Sequence, residues 1–414
     1  MERYHQGLRN LSEFPGLIGL IFTKPQSKIN DPAKLRRLIQ MIDTENWSAL
    51  DVDVKGEVYE SLLARNAEDV RGGAGQYFTP RPVIRAIVEV MRPEPMMRVS
   101  DPACGTGGFL LAAFEYLKSK TANAEEAAFL RSDALHGVDL VSNVARLCAM
   151  NLFLHGIGTD HKRTLVSIGD SLGSKVEPVD QVDMVLTNPP FGKKSSFTIV
   201  GEDGKRQTEK ISYERPDLWA TTSNKQLNFV QHVYSMLKEG GRAAVVVPDN
   251  VLFEGGAGEK IRRALLQRCE VHTLLRLPTG IWYSPGVKAN VLFFDKKQVT
   301  KSPATKEIWV YDLRSNRNFS LRQNPIVTED LTDFIECYQA DDPNQRKETK
   351  HFRLFTYPEI ITRDKTNLDF QWQYQTMDNT QSENPQALMK EIIEDLKEAM
   401  KEFSAAETEI RRKV

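Results

Sequence analysis

Asp101-Pro102-Ala103-Cys104-Gly105-Thr106-Gly107-Gly108-Phe109-Leu110 decides the fold of this 414-residue chain. The apolar run at 97–101 reads as a short strand, the glycines as a tight turn, and 107–119 as a helix. Strand, glycine turn and helix open a doubly wound sheet, in which small ligands bind outside the carboxyl ends of the strands and glycine lets the backbone approach them. The turn departs from the dinucleotide pattern G-x-G-x-x-G, because its sixth position is Leu110 and the acid Asp101 closes the strand before it. That carboxylate disfavours a pyrophosphate. It suits a sulfonium nucleoside such as S-adenosylmethionine, which is cationic at its sulfur and at its ammonium group.

Outward from the turn, short apolar runs alternate with amphipathic segments. Strands are expected at 135–140, 164–169, 182–187, 242–247, 271–276 and 289–295, and helices at 142–155, 224–238 and 257–268. Alternation of this kind implies an α/β class and a doubly wound, mostly parallel sheet covered on both faces. Val291-Leu292-Phe293-Phe294 follows a strand with only a loop between, which predicts one antiparallel hairpin strand.

The regular region is bounded at 73–297. Before it, 1–72 reads as a helical segment, with Leu35, Leu38, Ile39 and Ile42 at helix spacing and a second set at Val58, Leu62 and Leu63. Within it, 193–223 is a polar stretch long enough to be a lid or a disordered loop. After it come an extension, 298–380, and a terminal amphipathic helix, 381–414, whose stripe Leu388, Ile392, Leu396, Met400 and Phe403 suits either its own domain or another subunit.

Composition narrows the function classes. With 40% hydrophobic and 27% charged residues the chain can bury a sizeable core. A net charge of −1 provides no global attraction to nucleic acid, so affinity for DNA has to come from a local patch or a partner. Cys104, Cys148, Cys269 and Cys337 show no CxxC spacing, which argues against a disulfide framework or a cysteine zinc site and fits a reducing cytoplasm. There is no signal peptide and no apolar run of ~18 residues able to span a bilayer.

Two acids follow the glycine turn at successive strand ends, Asp139 and Asp170. A carboxylate after the second strand can accept hydrogen bonds from both ribose hydroxyls, and one after the next can accept from the adenine amine; either residue alone is more often a helix cap. A further strand, Val182 to Thr187, runs directly into Asn188-Pro189-Pro190-Phe191. That places an amide, two rigid prolines and an exposed aromatic ring together. An exocyclic base amine is a poor nucleophile because its lone pair is delocalised into the ring. If Asn188 Oδ1 and the Pro189 carbonyl each accept one of its N–H protons, the nitrogen becomes more tetrahedral, while proline fixes where the acceptors aim. Phe191 would stack on the base, worth ~1–3 kcal/mol. A duplex buries such an amine, so the base has to be flipped out.

With these motifs in place, the chain resembles an adenine N6 amino-methyltransferase, and more narrowly the modification subunit of a type I restriction-modification system, from about residue 55 onward. Gly75-Gln76-Tyr77-Phe78-Thr79-Pro80-Arg81 belongs to the resemblance, as do Gly240-Gly241-Arg242 leading into Val245-Val246-Val247-Pro248, and Asn367-Leu368-Asp369. It implies the S-adenosylmethionine-dependent methyltransferase fold. It implies that Gln76, Tyr77, Phe78, Thr79, Pro80 and Arg81 close over the methionine end of the cofactor, with Thr106, Gly107, Gly108 and Asp139 as further contacts. Asp101 and Asp170 complete the candidate cofactor set, and Asn188, Pro189, Pro190 and Phe191 form the catalytic set; no metal is expected.

The implied partners are double-stranded DNA, a separate specificity subunit that reads the sequence, a second modification subunit, and a restriction subunit carrying translocase and nuclease activity. No G-x-x-x-x-G-K-[ST] loop occurs, so ATP-driven cleavage needs another chain. Only 74 residues precede Gly75, where the family usually carries a longer helical region, so the N-terminus is expected to be short or truncated. Rival substrates share the planar nitrogen: cytosine N4, RNA amines and a glutamine side-chain amide. A non-catalytic scaffold that binds the cofactor and holds a specificity subunit on DNA is the reading from a different class.

Overall fold

The computed structural model describes residues 1–44, 46, 79–159, 164–191, 196–200, 206–210, 213–282, 286–314, 319–321, 323–339 and 341–372. Met1–Phe370 form one compact unit and Gln371–Val414 a second. The expected helix at 381–414, the Val58, Leu62 and Leu63 set, and Gln76, Tyr77 and Phe78 lie outside the described residues.

The N-terminal segment is helical where described, with α1 (Glu2–Ser12), α2 (Gly16–Ile21) and α3 (Pro32–Asp43). Asp31 caps α3 by accepting from Ala33 N at 2.9 Å, and a proline occupies its first turn. Of its apolar stripe only Leu35 is buried; Leu38, Ile39 and Ile42 are exposed.

The α/β core then follows. Helix α4 (Arg81–Met91) precedes β1 (Val99–Asp101), α5 (Gly108–Lys118), α6 (Ala124–Ser132), β2 (Leu135–Asp139), α7 (Ser142–Leu154), β3 (Val166–Ile168) and β4 (Val182–Thr187). After a ribbon, β5 (Ser196–Val200) and β6 (Arg206–Lys210), come α8 (Lys225–Met236), β7 (Leu237–Pro248), α9 (Asp249–Phe253), α10 (Ala257–Arg268), β8 (Cys269–Arg276) and β9 (Ala289–Lys296). The last elements are β10 (Glu307–Asp312), α11 (Thr332–Tyr338), β11 (Phe352–Thr356) and α12 (Tyr357–Thr362).

Nine strands form one sheet in the order β11-β10-β8-β9-β7-β4-β1-β2-β3. The pairs β1–β2, β2–β3, β1–β4, β4–β7 and β8–β10 are parallel, whereas β9 runs antiparallel to both β7 and β8. This is the hairpin strand expected at Val291 to Phe294. The sheet core is apolar on both faces, with Val99, Met184, Val185, Leu186 and Val245 all fully enclosed.

Three features differ from the sequence reading. The sheet does not end at residue 297, because β10 pairs with β8 and β11 pairs antiparallel with β10. The two strands contributed by 298–380 stand far apart between polar connections, so no local alternation announced them. The polar stretch 193–223 contains an antiparallel ribbon with Ser196 opposite Lys210. Ser196-Phe197-Thr198-Ile199-Val200 is aromatic and β-branched ahead of Gly201 and Gly204, the composition of a hairpin arm. Helix α6 was not foreseen at all.

The decisive geometry is the sheet's reversal of order between β1 and β4. Strands β2 and β3 lie to one side of β1, β4 and β7 to the other, so the carboxyl ends of β1 and β4 share the switch-point crevice. Asp101 closes β1, and Asn188 follows β4 directly.

Candidate active site

The glycine turn is built by backbone need. Gly105 has φ +55° and Gly107 φ +88°, a left-handed region costly for any residue with a Cβ. Gly107 also caps α5, and a Cβ there would come within 2.9 Å of Cys148 Sγ. At Gly105 a Cβ would meet no atom of the described residues within 4 Å. Arg81 Nη1 donates to the Gly108 carbonyl at 3.2 Å, fastening the start of α4 to the start of α5. Asn151 Nδ2 donates to the Thr106 carbonyl at 2.9 Å and holds the turn from beneath.

The three acids stand in a row along the strand ends. Asp139 Oδ2 accepts from Gly105 N at 3.2 Å and its Oδ1 from Val141 N at 2.8 Å. Burial raises its pKa above the usual carboxylate range, with the two backbone donors opposing that shift. Asp170 Oδ1 accepts from Leu172 N at 3.0 Å, and its Oδ2 accepts from Tyr213 Oη at 2.9 Å. Leu140 and Ile168, beside these acids, are exposed apolar side chains, 65% and 44% accessible. Two carboxylates with an apolar wall between them can seat a nucleoside, carboxylate to hydroxyl or amine and hydrocarbon to ring face.

Asp101 is enclosed. Its Oδ1 accepts from Ala103 N at 3.0 Å and from Thr187 Oγ1 at 2.6 Å, and burial pushes its pKa up to about 7. Its charged form is therefore poorly solvated, a setting that a cationic ligand group would relieve.

Asn188 is held at one end only. Its Nδ2 donates to Thr79 Oγ1 at 2.8 Å, while its Oδ1 is buried and has no hydrogen-bond partner among the described residues. A buried acceptor without a donor is costly, and at a strand end it is available to a ligand N–H. The Pro190 carbonyl accepts from Gln226 Nε2 at 3.0 Å, which fixes the turn from α8. Phe191 is half-buried rather than fully exposed, packing edge-on against Trp282 at 5.9 Å and 67°.

The structure thus brings together Thr79 with Asn188, Asp101 with Thr187, Arg81 with Gly108, and Asp139 with Gly105. Pro80 sits at the N-cap of α4, where its carbonyl accepts from Ile84 N at 3.1 Å. Sequence reasoning missed Thr187, Gln226, Trp282 and Tyr213. Thr187 was discoverable, since it ends a buried strand directly before Asn188; the other three are remote in sequence and carry no motif. The glycine turn, the carboxylates and the orphaned acceptor fit S-adenosylmethionine and a planar amine.

Among the described residues no cluster of three or more His, Cys, Asp or Glu side chains could hold a metal, no helix is long and apolar enough to cross a membrane, and all four cysteines are free.

The chain is similar to proteins already known. The N-6 DNA Methylase family model matches residues 50–383. The chain is 36% identical over 439 aligned residues to the EcoKI type I restriction enzyme methylase subunit of Escherichia coli K12, covering 95% of this chain and 80% of that one. The StySPI methylase subunit of Salmonella potsdam matches at the same identity and coverage. Among solved structures, the EcoKI M protein covers 99% of this chain and 83% of its own at 32% identity and a TM-score of 0.63. A modification subunit of a putative type I restriction enzyme from Vibrio vulnificus covers 85% and 72% at 28% identity and a TM-score of 0.71.

Proposed function

The chain belongs to the N-6 DNA methylase family, and from that membership and the geometry at Asn188 we propose that it methylates N6 of an adenine flipped out of duplex DNA, as the modification subunit of a type I restriction-modification assembly. The observation that carries the chemistry is the buried Asn188 Oδ1, an acceptor with no donor among the described residues, at the carboxyl end of β4.

S-adenosylmethionine supplies an electrophilic sulfonium methyl. The protein's task is to make a weak nucleophile stronger and to aim it. Asn188 Oδ1 and the Pro189 carbonyl accept the two N6 protons, which draws the nitrogen out of conjugation and turns its lone pair toward the methyl carbon. As the carbon–nitrogen bond forms the methyl–sulfur bond would break, its electron pair staying on sulfur as the neutral thioether S-adenosylhomocysteine, and one N6 proton would then be lost from the alkylated nitrogen to solvent. The Asp139 oxygens, each already taking one backbone N–H, keep a second lone pair for ribose hydroxyls. Asp170 would accept from the adenine amine, and the exposed Leu140 and Ile168 beside these acids would supply apolar surface for the ring. The carboxylate of Asp101 favours the cationic end of the cofactor.

Reading of the DNA sequence is assigned to a separate specificity subunit, in keeping with a net charge of −1 that provides no global attraction to nucleic acid. The free thiols suit a reducing cytoplasm. Tritiated methyl transfer to unmethylated genomic DNA, followed by nucleoside analysis, tests the reading with the chain alone and with its co-expressed specificity subunit. Label in N6-methyladenine is expected when the partner is present. Asn188→Ala should lower it by about 10²-fold or more while cofactor binding persists. Label in N4-methylcytosine, or none despite cofactor binding, would overturn it.

A further inference from the structure

We infer that Thr79 is a positioning residue for Asn188: its hydroxyl holds the carboxamide in the one rotamer that offers Oδ1, not Nδ2, to the target amine. The inference rests on the proposed transfer to an amino nitrogen. It gives Thr79 a role other than the cofactor contact that its motif implies.

The problem it solves is local. A carboxamide carries an acceptor at one end and two donors at the other, and its terminal torsion is soft, so a half-turn exchanges them. An amine about to be alkylated presents N–H donors. With Oδ1 facing it, the amide accepts a hydrogen bond from one N–H and localises the lone pair; with Nδ2 facing it, donor meets donor and the chemistry stops. Something must therefore satisfy Nδ2 on the far side.

Thr79 Oγ1 does so at 2.8 Å, across 109 residues of sequence. Thr79 is 7% exposed and lies one residue before Pro80, whose fixed φ and carbonyl begin α4. The same helix start is tied to the glycine turn through Arg81 and Gly108. The hydroxyl is thus set on a rigid element that reaches both the cofactor turn and the catalytic turn. No other donor or acceptor among the described residues is recorded on the Asn188 side chain, so this one bond carries its orientation.

The test compares Thr79→Val, which keeps the shape and removes the hydroxyl, with Thr79→Ser, which keeps it, in complexes with the specificity subunit. Single-turnover methyl transfer, S-adenosylmethionine affinity and thermal unfolding are measured for each. Thr79→Val should slow the methyl-transfer step about 10- to 100-fold, with cofactor affinity within about threefold of wild type, and Thr79→Ser should restore most of the rate. In the Asn188→Ala background, Thr79→Val should have no further effect, because its action passes through the amide.

A Thr79→Val protein that transfers at the wild-type rate overturns the inference and leaves the proposed function standing. So does one whose rate falls only as its cofactor affinity falls, or one whose effect adds fully to Asn188→Ala. Absence of any methylated base with the wild-type complex overturns the function itself, and the inference with it.

Discussion

Thr187 donates its hydroxyl proton to Asp101 Oδ1 at 2.6 Å, joining the last residue of β4 to the last residue of β1 inside the protein. The bond spans the switch point, so the strand that carries the glycine turn and the strand that carries Asn188 share one buried contact. Both side chains are enclosed, Thr187 at 0% and Asp101 at 2% exposure.

That enclosure makes Asp101 a pH-dependent element. Its pKa in the folded protein is about 7 against a reference of 3.8, and desolvation is the leading cause. An acid whose folded pKa is raised lends stability that is fully present below about pH 4, where both states are protonated, and is lost as pH rises through about 7. The slope is at most about 1.4 kcal/mol per pH unit within that window. Wild type should therefore lose stability relative to Asp101→Asn between about pH 4 and 7 and lose no more above that, measured by urea unfolding. A cationic ligand favours the carboxylate, so S-adenosylmethionine should bind with proton release below pH 7 and more tightly as pH rises, a trend absent in Asp101→Asn. Parallel curves for the two proteins would sink this account.

The glycine turn separates fold from ligand. Gly107→Ala meets both a left-handed φ and Cys148 Sγ at 2.9 Å, and should destabilise by about 2–4 kcal/mol. Gly105→Ala meets the φ cost alone, about 1–2 kcal/mol, because its Cβ would meet no atom of the described residues within 4 Å. If that space is the cofactor's, Gly105→Ala should lose cofactor affinity out of proportion to its modest loss of stability. Wild-type affinity in Gly105→Ala would remove the turn from the binding site.

How much of this was legible depends on the range of the interaction that made it. β1, its glycine turn and β4 with Asn188 were readable because each is a local pattern: an apolar run, a φ only glycine tolerates, an amide at a strand end. The antiparallel β9 was readable because only a loop, and no helix, separates it from the strand before. β11 was not, since it lies beyond a long polar connection from β10, and β10, although Ile308-Trp309-Val310-Tyr311 is an apolar run, lies past the boundary drawn at residue 297. Leu38, Ile39 and Ile42 had the period of a buried stripe, yet they are exposed, because periodicity reports a helix and not what covers it. The pairing of Thr79 with Asn188 belongs wholly to the tertiary structure.

Arg276 shows the same limit at the other end of the site. It is fully buried at the end of β8, ion-paired with Asp369, 3.6 Å from Asp249 Oδ1, and its Nε donates to Asn290 Oδ1 at 3.1 Å. Its Nη1 also donates to the Phe370 carbonyl. Asn367-Leu368-Asp369 is thereby clasped to the strand ends. Arg276→Ala removes a fully buried guanidinium and leaves the half-buried Asp249 and Asp369 without their counter-ion, which should cost about 3 kcal/mol in denaturant unfolding. Arg276→Lys should recover little, because a single ammonium cannot reproduce contacts made in several directions by a guanidinium. Full recovery by lysine would mean that charge alone holds this segment.

Phe191 has two tasks that substitution can separate. Packed edge-on against Trp282 at 5.9 Å, it contributes the ~0.5–1.5 kcal/mol of an aromatic pair, and its remaining surface is proposed to stack on the flipped base, worth ~1–3 kcal/mol. Phe191→Ala removes both; Phe191→Leu fills the space beside Trp282 while giving up the π face. Both variants should weaken the complex with target duplex, but only Phe191→Ala should lose thermal stability by more than about 1 kcal/mol. Because unstacking the target is part of the cost of flipping, a mismatch opposite the adenine should recover part of the affinity lost in Phe191→Leu. Equilibrium binding to matched and mismatched duplexes by the complex with its specificity subunit decides the matter. If Phe191→Leu binds both duplexes as the wild type does, Phe191 supports Trp282 and leaves the base to other side chains.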